Sequence, residues 1–372
     1  MSRKSIETRF FKIRPGKGEE QAALDAFYLL KKGKDVSEIE KATSGDFVRE
    51  HLGSFQKKGL LRSGGAKGRN VLSFNPGYRK VVGVGFRADQ CFLTVMDLSG
   101  NITDKEKIQT DLLLKVRGKN KDVSGIVKMI GEKTKLKGEK YACCGVAIPE
   151  DMIDVNPKTV NIMEKGFKSI FRTNIFVSKS ATASAYGDRE MAKEAGENDI
   201  LYMYSDVGIG IILKKEAIFE ADEYEKSPNS AYLRPWNQFS IVKTTKDLVA
   251  RGVGSDVVKI VKGDVDRITL DIVLEAAERK DELAEDLIKK SGLALGVRVA
   301  YLVNMFNIDV VVFGGGIERE ETFFTESVKE SMKKFLSSNI ADRLKIIPGV
   351  LGKESSSIGA ALLCRRELFM EV

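Results

Sequence analysis

The side chains best suited to meeting a partner are gathered near the start of this chain. Asp46, Arg49, Glu50, His51, Ser54, Lys57 and Lys58 lie on the polar side of a segment whose other side is Phe47, Val48, Leu52 and Phe55. Guanidinium forks, carboxylates and an imidazole can read base edges in a major groove, while lysine ammonium groups fix the phosphate register. A little further on, Lys67, Arg69 and Asn70 stand in RSGGAKGRN (residues 62–70). Glycines let such a tip approach a duplex closely, and its cations can reach phosphates or the minor groove. The competing reading is a protein-binding module with a solvated charged face.

A second chemistry is offered by Gly314, Gly315 and Gly316, which follow the apolar run Val310 to Phe313. A strand ending in glycines presents free backbone amides at a sheet's C-terminal edge, where ligands commonly bind. A structural tight turn is the alternative. Other chemistries are excluded. The single histidine, His51, rules out a histidine-based metal site or a Ser/His/Asp triad elsewhere in the chain. Cys91, Cys143, Cys144 and Cys364 form no CxxC spacing, so they read as buried small hydrophobes.

Positioning the first set of residues requires three helices and a hairpin. Ala22, Ala23, Ala26, Phe27, Leu29 and Leu30 predict a first helix ending at Lys31-Lys32-Gly33. Val36, Ile39 and Ala42 predict a brief second helix capped by Asp35 or Ser37, and Ser44-Gly45-Asp46 turns into a third over residues 46–58. Leu60-Leu61 and Val71 to Phe74 then flank the basic tip as two short strands, completing a winged helix-turn-helix in which the third helix lies in the major groove. Charge agrees with this placement. Residues 1–80 carry 18 Lys and Arg against 9 Asp and Glu, more than the whole chain's net charge of +8, so the body is nearly neutral. Residues 1–18, containing FFKIRPGKG, read as an ordered arm or a basic tail.

From Lys80 onward, strands at 81–86 and 91–98, a third near Ile102, a charged helix around Val123 to Ile130 and a strand at 141–148 make half of an α/β layer fold. Strands at 200–205, 207–213 and 310–313 and a long helical region over 269–306 repeat the style. A chain of 372 residues exceeds one ordinary core. No apolar run reaches the roughly 20 residues needed to span a bilayer, and no signal-peptide pattern opens the sequence, so a cytoplasmic protein without a membrane partner is expected.

Several of these segments resemble the ROK family, a grouping of sugar-responsive repressors and sugar kinases. GLLRSGGAKGRNVLSFNPGYRKVVGVGF (residues 59–86) is similar to the wing and first body strand of the family's repressors. DVVVFGGGI (309–317) and LGKESSSIGAALL (351–363) are similar to its adenosine-side strand and C-terminal helix, while GVAIPE (145–150) and SDVGIGIIL (205–213) stand where the family has GxxxPG and GTGIGAGI. The resemblance implies an α/β, two-lobed actin/hexokinase-like ATPase fold preceded by an all-α/winged-helix DNA-binding domain. It divides the chain into residues 1–78 for DNA binding, 79–192 for a first lobe completed by 355–372, and 193–354 for a second lobe carrying effector cleft and dimerisation surface.

The departures from the family pattern are informative. Kinases of the family open with DIGGT, where this chain has Gly85-Phe86-Arg87-Ala88-Asp89, a loop unsuited to cradling a triphosphate. IFVSKSATASAYGDRE (175–190) aligns on the family's NDAN motif and places Ser180 at the catalytic aspartate; a serine hydroxyl cannot act as that base. The family's zinc cluster is missing, since residues 217–240 hold no Cys or His, and no metal or cofactor is expected. Four acids within residues 220–225 read as a solvated loop.

The resemblance therefore implies a DNA-binding regulator of the repressor type with a catalytically inactive body. Its partners would be double-stranded DNA and a sugar or sugar-phosphate effector, and it would assemble as a homodimer or dimer of dimers. Effector contacts are expected at Ser178, Lys179, Ser180, Thr182, Asp206, Gly208, Ser227, Ser230, Gly314 and Gly315. Lys179 would favour an acidic or phosphorylated sugar, or pair with an acid such as Asp206. Trp236 is either an exposed anchor or a core residue. Two alternatives stay open: an active ATP-dependent sugar kinase with an accessory basic domain, and a ligand-independent DNA-binding or dimerisation protein.

Overall fold

A computed structural model of the chain describes residues 19–64, 70–87, 90–110, 123–149, 158–192, 198–204, 208–213, 217–220, 241–315 and 325–370. Its first part is a head of three helices and a hairpin. Helix α1 spans Glu19–Lys31 and α2 spans Val36–Ala42. The third helix, α3, is continuous through an α turn at Gly45–Phe47, a π segment at Val48–Leu52 and an α turn at Gly53–Lys57. Strands β1 (Leu61–Gly64) and β2 (Val71–Phe74) pair antiparallel, with Leu61 opposite Phe74. Asp35 is the N-cap of α2, accepting a hydrogen bond from the Ser37 amide at 3.0 Å. Ser44 caps α3 by accepting from the Phe47 amide at 3.1 Å.

Two five-stranded sheets follow. The first has the order β5-β4-β3-β6-β7 and is built from β3 (Val81–Phe86), β4 (Gln90–Met96), β5 (Ile102–Gln109), β6 (Cys143–Ile148) and β7 (Ile175–Lys179). Helices α4 (Val123–Lys133) and α5 (Thr159–Phe171) cover its outer face through Ile126, Ile130, Met163 and Phe167. Helix α6 (Ser180–Met191) leaves β7 directly. The second sheet has the order β10-β9-β8-β11-β12, from β8 (Ile200–Tyr204), β9 (Gly208–Leu213), β10 (Ala217–Glu220), β11 (Val310–Gly314) and β12 (Lys345–Pro348).

Its outer layer comprises α7 (Ile241–Ala250), α8 (Asp256–Ile260), α9 (Leu270–Glu278), α10 (Glu282–Phe306), α11 (Glu326–Phe335) and α12 (Ser338–Ala341). The helical region expected over 269–306 is thus two helices. Lys280 adopts a left-handed φ of 66°, and Asp281 caps α10 by accepting from the Ala284 amide at 2.8 Å, which starts a new helix in place of continuing the old one. The C-terminal helix α13 (Ser355–Met370) lies with α6 between the sheets.

Helix α13 shows no solvent-facing stripe because every side of it meets protein, burying even Ser355, Ser356, Ser357, Arg365 and Arg366. It presses on the first sheet so closely that a Cβ on Gly83 would collide with the Ser357 carbonyl, and a Cβ on Gly359 with the Ala183 carbonyl of α6. The four cysteines are buried, and burial pushes the Cys91 and Cys144 thiols well above their ordinary range. Among the described residues no helix is long and apolar enough to cross a membrane, and no group of three or more His, Cys, Asp or Glu is placed to hold a metal.

Candidate nucleic-acid interface and interlobe cleft

The polar face of α3 points away from the head's core. Phe47, Val48, Leu52 and Phe55 are buried, whereas Asp46, Arg49, Glu50, Lys57 and Lys58 are exposed and Ser54 is half-buried. His51 is half-buried as well, its ring 4.7 Å from that of Phe47. Arg49 pairs with Asp46 at 2.5 Å, and both side chains are largely exposed. An ion pair in that setting contributes about 0–1 kcal/mol, so the guanidinium can exchange Asp46 for a base edge or phosphate at little cost.

Asp35 fixes the hairpin against this helix set. Besides capping α2, its carboxylate accepts from the Asn70 amide at 2.9 Å, and the Val36 amide donates to the Asn70 carbonyl at 2.9 Å. Gln56 of α3 donates to Ser63 of β1 at 2.8 Å. The hairpin therefore holds one orientation relative to α3. Asn70 is exposed where β2 begins, at the tip end of the hairpin, while Lys67 and Arg69 lie outside the described residues.

The head and the first sheet share one core. Phe369 of α13 inserts among the head's aromatic residues, stacked on Phe55 with centroids 4.5 Å apart and an interplanar angle of 15°, and 5.7 Å and 5.9 Å from Phe27 and Phe74. Arg365, one turn earlier, lies over Phe27 at 5.5 Å and Phe74 at 5.8 Å. Its guanidinium also comes within 3.8 Å of Glu190 of α6, and the same carboxylate pairs with Lys31 of α1. Burial raises the phenols of Tyr28 and Tyr186 at this junction. Sequence reasoning missed this seam, because the arginines and Glu190 alternate with apolar residues like a solvent-facing helix.

At the other end of α13 the C-terminal edges of the two sheets meet. Ser178 and Lys179 end β7, and Ser180 and Thr182 open α6; all four are buried, Ser180 Oγ without a hydrogen-bond partner among the described residues. Asp188, a further buried acid of α6, accepts from the Val350 amide at 2.6 Å and so ties α6 to the segment after β12. Gly314 ends β11, and Gly315 turns the chain with a φ of 77°. Gly208 begins β9. Asp206, Ser227, Ser230, Gly316, Trp236 and the acids after Glu220 lie outside the described residues.

One residue read from sequence only as a lost glycine proves to be placed here. Arg87, at the end of β3, donates to the Gly315 carbonyl, and its second nitrogen is 3.9 Å from Asp271 at the start of α9. Lys353, just before α13, donates to the other oxygen of Asp271 at 2.7 Å. A cation where the resembled pattern has a small residue was the available signal.

Comparison with known proteins adds the following. Residues 251–367 match the model of the ROK family. The chain is 18% identical to a xylose repressor of Bacillus spizizenii over 361 residues, covering 87% of this chain and 88% of that one. It is 21% identical to a xylose repressor of Caldicellulosiruptor bescii over 329 residues, covering 81% of each. Among solved structures, a ROK family transcriptional regulator described as a homologue of the E. coli MLC protein superposes with a TM-score of 0.62 at 15% identity, covering 95% of this chain and 97% of that one. A ROK family glucokinase from Streptomyces griseus in complex with glucose and AMPPNP gives 0.59 at 18% identity, covering 76% and 98%. The two structural likenesses establish a mixed α/β fold shared with ROK proteins.

Proposed function

We propose, from the premise that this chain carries a ROK-family domain, that it is a DNA-binding transcriptional repressor responsive to a sugar-like effector. The observation that carries this is the exposed row Asp46, Arg49, Glu50, Lys57 and Lys58 on the helix after the turn, beside a hairpin anchored by Asp35. The repressor names of its relatives point the same way. In this reading the head is a winged helix-turn-helix. Arg49, Glu50, His51 and Ser54 meet base edges, while Lys57, Lys58, Lys67, Arg69 and Asn70 meet the backbone.

The body senses and does not phosphorylate. Ser180 supplies no carboxylate to take a proton from a sugar hydroxyl, and Arg87 fills the loop that would face a nucleotide's phosphates. The effector cleft comprises Ser178, Lys179, Ser180, Thr182, Asp206, Gly208, Ser227, Ser230, Gly314 and Gly315. Because Phe369 and Glu190 fasten the head to the first lobe, the two move as a unit. Effector binding that changes the angle between lobes then changes the spacing of two heads in a homodimer or dimer of dimers. Those heads must sit about one helical turn of DNA apart to grip a two-fold site.

The test is selection of duplexes from a random pool by the full chain, repeated with pentoses and hexoses present, alongside ADP release from ATP over the same sugars. Expected are a preferred duplex, weaker binding with at least one sugar, and a log–log salt slope that falls by about 0.9 for each phosphate contact removed. A chain that prefers no duplex, or sugar-dependent ATP turnover abolished in S180A, overturns the proposal.

A further inference from the structure

Arg87 also belongs to an ion triad drawn from three elements where the C-terminal edges of the two sheets meet. Arg87 belongs to the end of β3 in the first sheet, Lys353 to the turn leading into α13, and Asp271 to the first turn of α9 beyond the second sheet. The neighbouring acid, Glu354, is taken by Lys105, so the carboxylate facing Lys353 is that of Asp271. The Arg87 side chain is only 10% exposed, whereas those of Asp271 and Lys353 remain 41% and 31% exposed. The carboxylate thus sits at an opening reachable from solvent, with the guanidinium behind it.

The surroundings suit an anion. Behind the two cations lies the start of a helix of 16 residues, the positive end of its dipole, where the Ser355 amide donates to the Gly352 carbonyl. Ser356 in its first turn is fully buried beside Gly85, its Oγ without a hydrogen-bond partner among the described residues. Gly315 sits opposite with its left-handed backbone, its carbonyl already occupied by Arg87. A guanidinium offers paired donors matched to a phosphate or carboxylate, and an ammonium adds a point charge.

We propose that Arg87 and Lys353 form an anion site at this junction, that Asp271 occupies it as an internal surrogate, and that the phosphate of a phosphorylated sugar displaces Asp271. This deepens the effector reading above and rests on it, since it names the chemical class the cleft accepts. Displacement frees α9, and with it the second sheet's outer layer, from the first sheet. The lobes then lose the link that Arg87 makes through Asp271, and the ligand itself takes over the bridge. Partly exposed ion pairs are weak, which makes the exchange accessible to a small ligand.

Titration calorimetry on the full chain with inorganic phosphate, glucose and glucose 6-phosphate tests this, using wild type, Asp271→Asn, Arg87→Gln and Arg87→Lys. Wild type should bind glucose 6-phosphate more tightly than glucose. Asp271→Asn should tighten glucose 6-phosphate about threefold by removing the competing carboxylate, and Arg87→Gln should weaken it about tenfold, with partial recovery in Arg87→Lys. Response to phosphate alone, equal to that with the sugar phosphate, assigns the site to the free anion and overturns the sugar-phosphate form of the proposal. Equal affinity for glucose and glucose 6-phosphate, or no change in Arg87→Gln with native circular dichroism, overturns the site itself. Operator binding by the same samples without ligand reports separately on the repressor reading.

Discussion

Replacing Phe369 with alanine tests whether head and body share one folding unit. The ring is 3% exposed and packed against Phe55, Phe27 and Phe74. Truncating a phenylalanine so placed costs about 3–5 kcal/mol. A core as small as that of residues 19–74 supplies only about 3–5 kcal/mol by itself, so the loss matches the head's own stability. The ring's aromatic partners all belong to the head and none to the second sheet. Hydrogen exchange read by peptide mass spectrometry should show amides of α1, α3 and β2 losing protection in F369A while those of β8 and β11 keep theirs. Affinity for operator DNA should fall with the head's protection. F369L, which retains most of the apolar volume, should lose far less. Unchanged protection of the head in F369A refutes the shared core and makes the head an autonomous domain.

Asp35→Ala removes both the α2 cap and the acceptor for the Asn70 amide; the head should lose about 1–2 kcal/mol by denaturant titration, and DNA binding should weaken through a displaced hairpin. Gly359→Ala drives a methyl group into the Ala183 carbonyl, so the whole chain's denaturant midpoint should drop by the equivalent of about 3 kcal/mol or more. The buried phenols of Tyr28 and Tyr186 are held above the ordinary value of 10.0, so the fold favours their neutral forms. Their stabilising contribution is complete below pH 10 and is lost as pH rises through the raised values; melting temperature should fall on that alkaline side, and the Y28F/Y186F double variant should flatten the fall.

What could be read beforehand follows from which signals are local. Helix α1 is visible in Ala26, Phe27 and Leu30, and the start of α3 in Ser44, whose capping oxygen is a feature of adjacent residues. Strands β3, β6 and β11 announce themselves as apolar runs because helices cover both faces of each sheet. Helix α13 is harder, since Arg365 and Arg366 would normally mark a solvent face and here are buried at the meeting of α6, α13 and the head. Asp281 as a cap within 269–306 was overlooked because apolar periodicity runs on through it. Arg87 is legible only as a departure from a motif; its reach to Gly315 and Asp271 depends on a gap closed by residues 184 and 228 positions further along the chain.

Under the repressor reading proposed above, the π segment of α3 bears on how a DNA sequence would be read. One wide turn at Val48–Leu52 absorbs a residue that an ordinary turn has no room for. At about 100° per residue, an uninterrupted helix sets Lys57 within about 20° of Asp46 around the axis. With the surplus residue absorbed, Lys58 inherits that bearing and Lys57 swings aside by roughly a quarter turn. The lettering scheme by which contacts are transferred from one recognition helix to another therefore slips by one place beyond Leu52. If α3 is the recognition helix proposed above, operators inferred by lining up sequences would be out of phase over the distal half of the site.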